Sequence, residues 1–210
     1  MKSYEKLLEN NKNWARQSIE KDPEFFNRLK NTQTPEYLWI GCSDSRVPPD
    51  SITGTIPGEI FIHRNIANMV VHTDFNMLSV LQYAVEVLKV KHVIVCGHYN
   101  CGGVKAAMTH QSLGIINKWL RNIKDVYRIH FDEINSLPTD SEQVNRLIEL
   151  NVQEQVMNLA KTSIIQKAWK ENNAPHLHGW VYGLEDGLIK PIFEMAAGTH
   201  IDPIYEFDNL

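Results

Sequence analysis

The sequence predicts an α/β fold with a mostly parallel central sheet, flanked by helices and preceded by an N-terminal helical arm. Three observations carry that reading. Apolar runs of strand length alternate with longer stretches of helical periodicity. Two of the runs, Tyr37–Ile40 and His92–Gly97, are almost continuously apolar, as strands covered on both faces are. Reactive side chains follow both of them: Cys42-Ser43-Asp44-Ser45-Arg46 after the first, and His98-Tyr99-Asn100-Cys101-Gly102-Gly103 after the second. Open α/β sheets bind ligands just beyond the carboxyl ends of their strands, where strand order reverses. A strand order of 2-1-3-4, with a further edge strand, brings the two segments together at such a point.

The elements follow in order. Residues 3 to 21 carry Tyr4, Leu7, Leu8, Trp14 and Ile19 at near-helical spacing among charges and amides, which predicts an amphipathic helix. Asp22-Pro23 offers an N-cap followed by proline at the first helical position, so a short second helix is expected to about Lys30. An arm this apolar either packs on a second subunit or folds back on its own domain. Tyr37–Ile40 is the first strand, and Val47-Pro48-Pro49 with Thr53-Gly54 reads as a connecting segment. Glu59–Asn65 is a half-buried second strand. Thr73 or Asp74 caps a helix running to about Leu88 with Leu78, Leu81, Val85 and Leu88 on its apolar face. After the third strand, a helix is expected at about Val104 to Met108. From Gly114 to about Asn172 the chain is mostly helical, broken over 136–141 around Pro138, with a long helix interrupted once. His176–Tyr182 and Leu188–Phe193 are the last strands, and Pro191 confines the second of them to an edge. No repeat or linker divides the chain, so residues 1–210 read as a single domain with residues 1–34 as its arm.

Composition narrows the function. A formal net charge of −4 and the lack of any Lys/Arg-rich run argue against non-specific nucleic-acid binding. No stretch approaches the roughly 18 apolar residues that span a bilayer. The N-terminus carries acidic residues and no apolar leader segment, so the expected location is cytoplasmic. Three cysteines, an odd number, suit thiol or metal chemistry better than a disulfide framework.

His98-x-x-Cys101 lets one loop present a nitrogen and a sulfur to one ion, and Cys42 supplies a third ligand. Two sulfurs and a nitrogen leave one tetrahedral position of zinc open, the pattern of a catalytic site. Asp44 is either a fourth ligand or a neighbour held by Arg46 through a charge-assisted contact across the turn. Cys96, inside an apolar strand, reads as a small core residue. A structural site of Cys42, Cys96, His98 and Cys101 is the rival, and a redox pair of cysteines a second one. Gly102-Gly103 permits a tight turn beside the metal, but it is not a dinucleotide fingerprint. A non-catalytic zinc protein remains open beside a zinc enzyme.

These two motifs together resemble the β-class carbonic anhydrases. The likeness extends through Trp39, His63–Asn68, Gln82-Tyr83-Ala84 and His178-Gly179-Trp180, over nearly the whole chain. It implies one Zn2+ per subunit held by Cys42, His98 and Cys101, and reversible hydration of CO2 to bicarbonate and a proton by attack of zinc-bound hydroxide. It implies Asp44 and Arg46 as catalytic residues, and Gln33, Tyr83 and Gly102 along the substrate cleft, Gln33 reaching across a dimer. The arm then wraps a partner subunit, and dimers pair further into tetramers. Trp39, Arg64 and Tyr182 match the pocket of the family's bicarbonate-regulated, bacterial-type subset. In that subset an allosteric bicarbonate releases Asp44 from Arg46 onto zinc, which displaces the water and makes activity rise with pH. The chain ends at Leu210, sooner after its last strand than many relatives, and no role follows for Thr199-His200.

Overall fold

A computed structural model describes residues 2–210. The chain forms two compact units, residues 1–34 and residues 35–210. The first contains α1 (Ser3–Lys21) and α2 (Phe25–Leu29). Neither helix buries a residue, and Tyr4, Leu7, Leu8, Trp14 and Ile19 are all exposed. Trp14 meets Phe25 and Phe26 edge-on at 6.0 and 5.7 Å, which closes the small unit on itself. α2 starts later than the Asp22-Pro23 signal predicts. The Asp22 side chain accepts from the Glu24 N–H at 3.1 Å and makes a turn there, and Glu24 becomes the N-cap.

The second unit is built on a five-stranded sheet of β1 (Tyr37–Cys42), β2 (Ile60–Asn65), β3 (His92–His98), β4 (His176–Tyr182) and β5 (Ile189–Met195). Their spatial order is β2-β1-β3-β4-β5. All neighbours are parallel except β4 and β5, which pair antiparallel. This is the predicted order, with β5 as the edge strand. The helices are α3 (Pro49–Thr53), α4 (Phe75–Gln82), α5 (Gly102–Ala107), α6 (Ile116–Ile129), α7 (Phe131–Asn135), α8 (Asp140–Ala160) and α9 (Ser163–Asn172). α3 occupies what the Pro-Pro and Thr-Gly signals mark as a connection: Pro49 sits in its first turn and Gly54 ends it in the left-handed region. Asp74 caps α4, accepting from the N–H groups of Asn76 and Met77, and the helix ends in a π-turn over Tyr83–Val87. Thr139 and Thr162 cap α8 and α9, placing the break and the interruption in the long helical region. Among the described residues no helix is long and apolar enough to cross a membrane.

Alternation along the strands divides the core. Leu38, Ile40, Val93, Val95, Leu177 and Val181 point into the larger cluster with α8, while Trp39, Ile94 and Cys96 form a small cluster on the other face. α8 lies very close to the sheet. A Cβ on Gly97 would stand 2.7 Å from Val152 Cγ2, and one on Gly179 would stand 3.1 Å from Val152 Cγ1. Both glycines are needed for that approach. Because Gly97 immediately precedes His98, the contact also fixes the height at which β3 delivers its last residue. Gly97→Ala should therefore cost about 1–3 kcal/mol through overpacking. Urea unfolding would show a lowered midpoint, and an unchanged midpoint would contradict so close an approach.

Candidate metal centre

β1 and β3 are parallel neighbours whose ends lie within one residue of each other in register, so Cys42 and His98 emerge close together at the carboxyl edge of the sheet. The chain leaves β3 through Tyr99 and Asn100 and places Cys101 at the start of α5. Cys42, His98 and Cys101 are all buried, and their ligand atoms lie within 4.8 Å of one another. The two sulfurs are 3.9 Å apart.

The side chains fit a metal ion. His98 Nδ1 lies 2.9 Å from the Tyr99 carbonyl oxygen, which can only accept, so Nδ1 carries the proton. The lone pair is thereby left on Nε2, which is buried and has no hydrogen-bond partner in the protein. A buried acceptor without a partner is costly, and a cation removes that cost. The sulfurs point the same way. The Cys101 thiol beside it, against the effect of burial and helped by His98 and the Asp44 and Ala67 N–H groups, holds Cys42 down to about 4. The Cys42 thiolate in turn, with burial, pushes the Cys101 thiol up. Alone, the pair holds one negative charge; a divalent ion stabilises two thiolates.

Asp44 borders the trio. Its Oδ2 is 3.8 Å from His98 Nε2. Arg46 grips the carboxylate with Nε at 2.9 Å from Oδ1 and Nη2 at 2.7 Å from Oδ2, while its own backbone N–H donates to Oδ1 at 3.0 Å. The guanidinium hydrogen bonds hold Asp44 well below the usual carboxylate range. Arg64 ties the same loop to β2, donating from Nε to the Cys42 carbonyl at 2.8 Å and from Nη2 to the Asp44 carbonyl at 2.5 Å.

The floor of the site was not visible in the sequence. Ala67 and Asn68 adopt φ of 63° and 49°, a left-handed corner unusual for alanine. Asn65 brackets it, accepting from the Met69 N–H at 2.7 Å and donating to the Met69 carbonyl at 2.8 Å. From α8, buried Asn151 donates to the Ala67 carbonyl at 3.2 Å, and Gln155 accepts from the Val70 N–H at 2.8 Å. Gln155 also donates to Asn151 at 3.1 Å. The available signal was two amides four residues apart on an otherwise apolar helix face.

The other predicted residues are dispersed. Gln33 lies exposed in the N-terminal unit. Tyr83 opens the π-turn after α4, partly exposed, its ring 5.8 Å from that of Phe61. Gly102 is the first residue of α5. Strand register puts Trp39, Arg64 and Tyr182 on one face of the sheet. Trp39 is buried there, its indole over Gly41 and edge-on to Trp180 at 6.0 Å. Cys96 belongs to the same small apolar cluster, with burial pushing its thiol up, and it stands outside the metal-ligand group.

A buried Cys-His-Cys trio at the switch point of a mostly parallel sheet marks a candidate metal centre of an α/β protein, at the carboxyl ends of the strands. Comparison with known proteins makes the class specific. The carbonic anhydrase family model matches residues 37–189, and the chain belongs to that family. A carbonic anhydrase of Emericella nidulans is 53% identical over 90% of this chain and 83% of its own. A β-carbonic anhydrase structure from Aspergillus fumigatus is 40% identical, with a TM-score of 0.86 over 90% of this chain and 89% of the other. One from Sordaria macrospora, described as tetrameric, is 38% identical, with a TM-score of 0.89 over 93% of this chain and 100% of the other. β-Carbonic anhydrases use zinc, and the Cys-His-Cys group here could hold one such ion.

If the trio is the zinc site, Cys101→Ala removes the metal and Cys96→Ala keeps it. Zinc quantified after dialysis decides between them: equal loss in both variants would restore a site that includes Cys96.

Proposed function

We propose that this chain catalyses the reversible hydration of carbon dioxide to bicarbonate and a proton, with Cys42, His98 and Cys101 holding one zinc ion per subunit. The observation that carries the proposal is the buried, unpartnered His98 Nε2 beside two close sulfurs, with a carboxylate kept ionised at their edge. Zinc, when bound, lowers the pKa of a coordinated water toward neutrality and so supplies a nucleophile.

The protein's own groups do the rest. An ionised carboxylate only accepts hydrogen bonds. Asp44 therefore fixes the orientation of a water O–H beside the trio and leaves an oxygen lone pair free for the carbon of CO2. Held so low by Arg46, Asp44 is too weak a base to store the released proton near pH 7, so it orients while the proton passes to solvent. Arg46 maintains both the charge and the aim. Tyr83, the Gly102 backbone N–H and Gln33 line the path of the substrate, with Gln33 supplied by a second subunit. Self-association through the arm accounts for the exposed apolar side chains of α1 and agrees with the tetrameric state of the Sordaria macrospora relatives. A cytoplasmic setting agrees with three free cysteines.

Regulation by bicarbonate is a second reading, and the placement of Arg64 favours it. Arg64 shares a sheet face with Trp39 and Tyr182 and hydrogen-bonds the Asp44 carbonyl. An anion bound among the three would compete for that guanidinium and loosen the loop, freeing Asp44 to turn toward the metal. The relatives compared above are fungal, so the bacterial-type assignment stands on this trio alone.

Stopped-flow CO2 hydration on zinc-quantified protein tests both. Wild type should be active, and Asp44→Asn should lose about 10–100-fold, the cost of removing a group that orients chemistry at a metal. A zinc-replete protein without activity would overturn the enzymatic reading. Added bicarbonate should suppress wild type more than Tyr182→Phe, and activity should rise between about pH 7 and 9 as hydroxide competes with the Asp44 carboxylate for zinc. Indifference to both would remove the regulatory reading and leave the enzyme.

A further inference from the structure

The opposite edge of the sheet carries a second group of metal-binding side chains that the proposed reaction does not use. His176 and His178 alternate on β4, so both imidazoles stand on one sheet face. They stack with ring centroids 4.5 Å apart and planes within 8°. β5 pairs antiparallel alongside and sets Glu194 opposite His178. Glu194 Oε2 reaches 3.6 Å from His176 Nε2, and one ligand atom from each of the three residues lies within 4.8 Å of the others. From β3, His92 places its Nδ1 3.0 Å from His178 Nε2. Tyr37 stacks on His92 at 5.6 Å and Trp180 stands 5.7 Å from His178, so aromatic rings wall the group on both sides.

We propose that His176, His178 and Glu194 form a second metal site, independent of the Cys42/His98/Cys101 centre, that takes a divalent first-row transition ion of the zinc type. Two imidazoles and a carboxylate are a donor set for zinc, cobalt, nickel or copper and a poor one for calcium or magnesium. His176 Nε2 is buried and has no hydrogen-bond partner, the condition that marks His98 Nε2 in the first centre. The hydrogen bond between His92 and His178 orients the His178 ring, as outer partners orient ligating histidines elsewhere. The two centres are separate: His92 and His98 lie at opposite ends of β3, six residues or about 20 Å apart along a strand. No thiol contributes here, so an ion at this site carries nitrogen and oxygen ligands only.

The test titrates zinc into the full-length protein already carrying its first equivalent, with calorimetry and metal quantification together. Wild type should take up a second, saturable equivalent. Glu194→Gln, at a side chain 73% exposed and safe for folding, and the double variant His176→Gln/Glu194→Gln should lose it while retaining the first. Cobalt supplies a signature that a merely structural cluster would not produce. The second cobalt ion should add visible ligand-field bands without increasing near-ultraviolet thiolate-to-metal absorption. A wild type that stops at one equivalent, variants that still bind two, or a second ion that raises the thiolate band would each overturn the proposal.

Discussion

The site depends on one pairing: β1 lies between β2 and β3, parallel to both. From that central position β1 delivers Cys42 beside His98, although 59 residues separate Cys42 from the second sulfur at Cys101. The connection back from β2 makes the chain leave the sheet in opposite directions at the β1/β3 boundary, and the gap so created is where Cys42, His98 and Cys101 converge. Nothing local in either motif would achieve this. The close packing of α8 against Gly97 and Gly179 then fixes the height of β3 and β4 beneath the trio.

Around that gap the protein places its polar groups at the site's margin and floor. Arg46 and Arg64 act on the same loop from two directions, one on the Asp44 carboxylate and one on its backbone carbonyl. Asn65, Asn151 and Gln155 hold the left-handed Ala67–Asn68 corner. A non-glycine residue in that region costs of order 1–3 kcal/mol and persists only where its surroundings over-determine it. That expenditure, with a thiolate and an unpartnered imidazole nitrogen, collects at one place. Such concentration is the physical mark of a functional site.

Much of the fold was legible because the signals were local. Continuous apolar strands, the cap at Asp74, the break around Pro138, and Pro191 at the edge each specify their element without reference to the rest. The misses share a cause as well. The Pro-rich and Gly-ended segment that forms α3 reads as a loop until its packing is known. Asp22 made a turn instead of the predicted cap because its side chain reached Glu24. Asn151 and Gln155 look like neutral interruptions of an apolar helix, and only the tertiary position of Ala67 gives them partners. The His-x-His of β4 was in plain view, but Glu194 and His92 join it only through the register of β5 and β3. The motif at Cys42 and His98 was readable because residue type narrowed the chemistry before geometry was known; the amide ladder had no such chemistry to announce it.

Under the proposed function, two sulfurs and one imidazole hold the ion while Arg46 keeps Asp44 beside it, leaving one position open. Zinc-edge X-ray absorption on full-length protein with one zinc per subunit measures this directly, at a pH of about 8–9 where water coordination is favoured. The result predicted is two sulfur scatterers near 2.3 Å with two light scatterers near 2.0–2.1 Å, one of them imidazole. A shell of three sulfurs, or one sulfur with three light atoms, would contradict it.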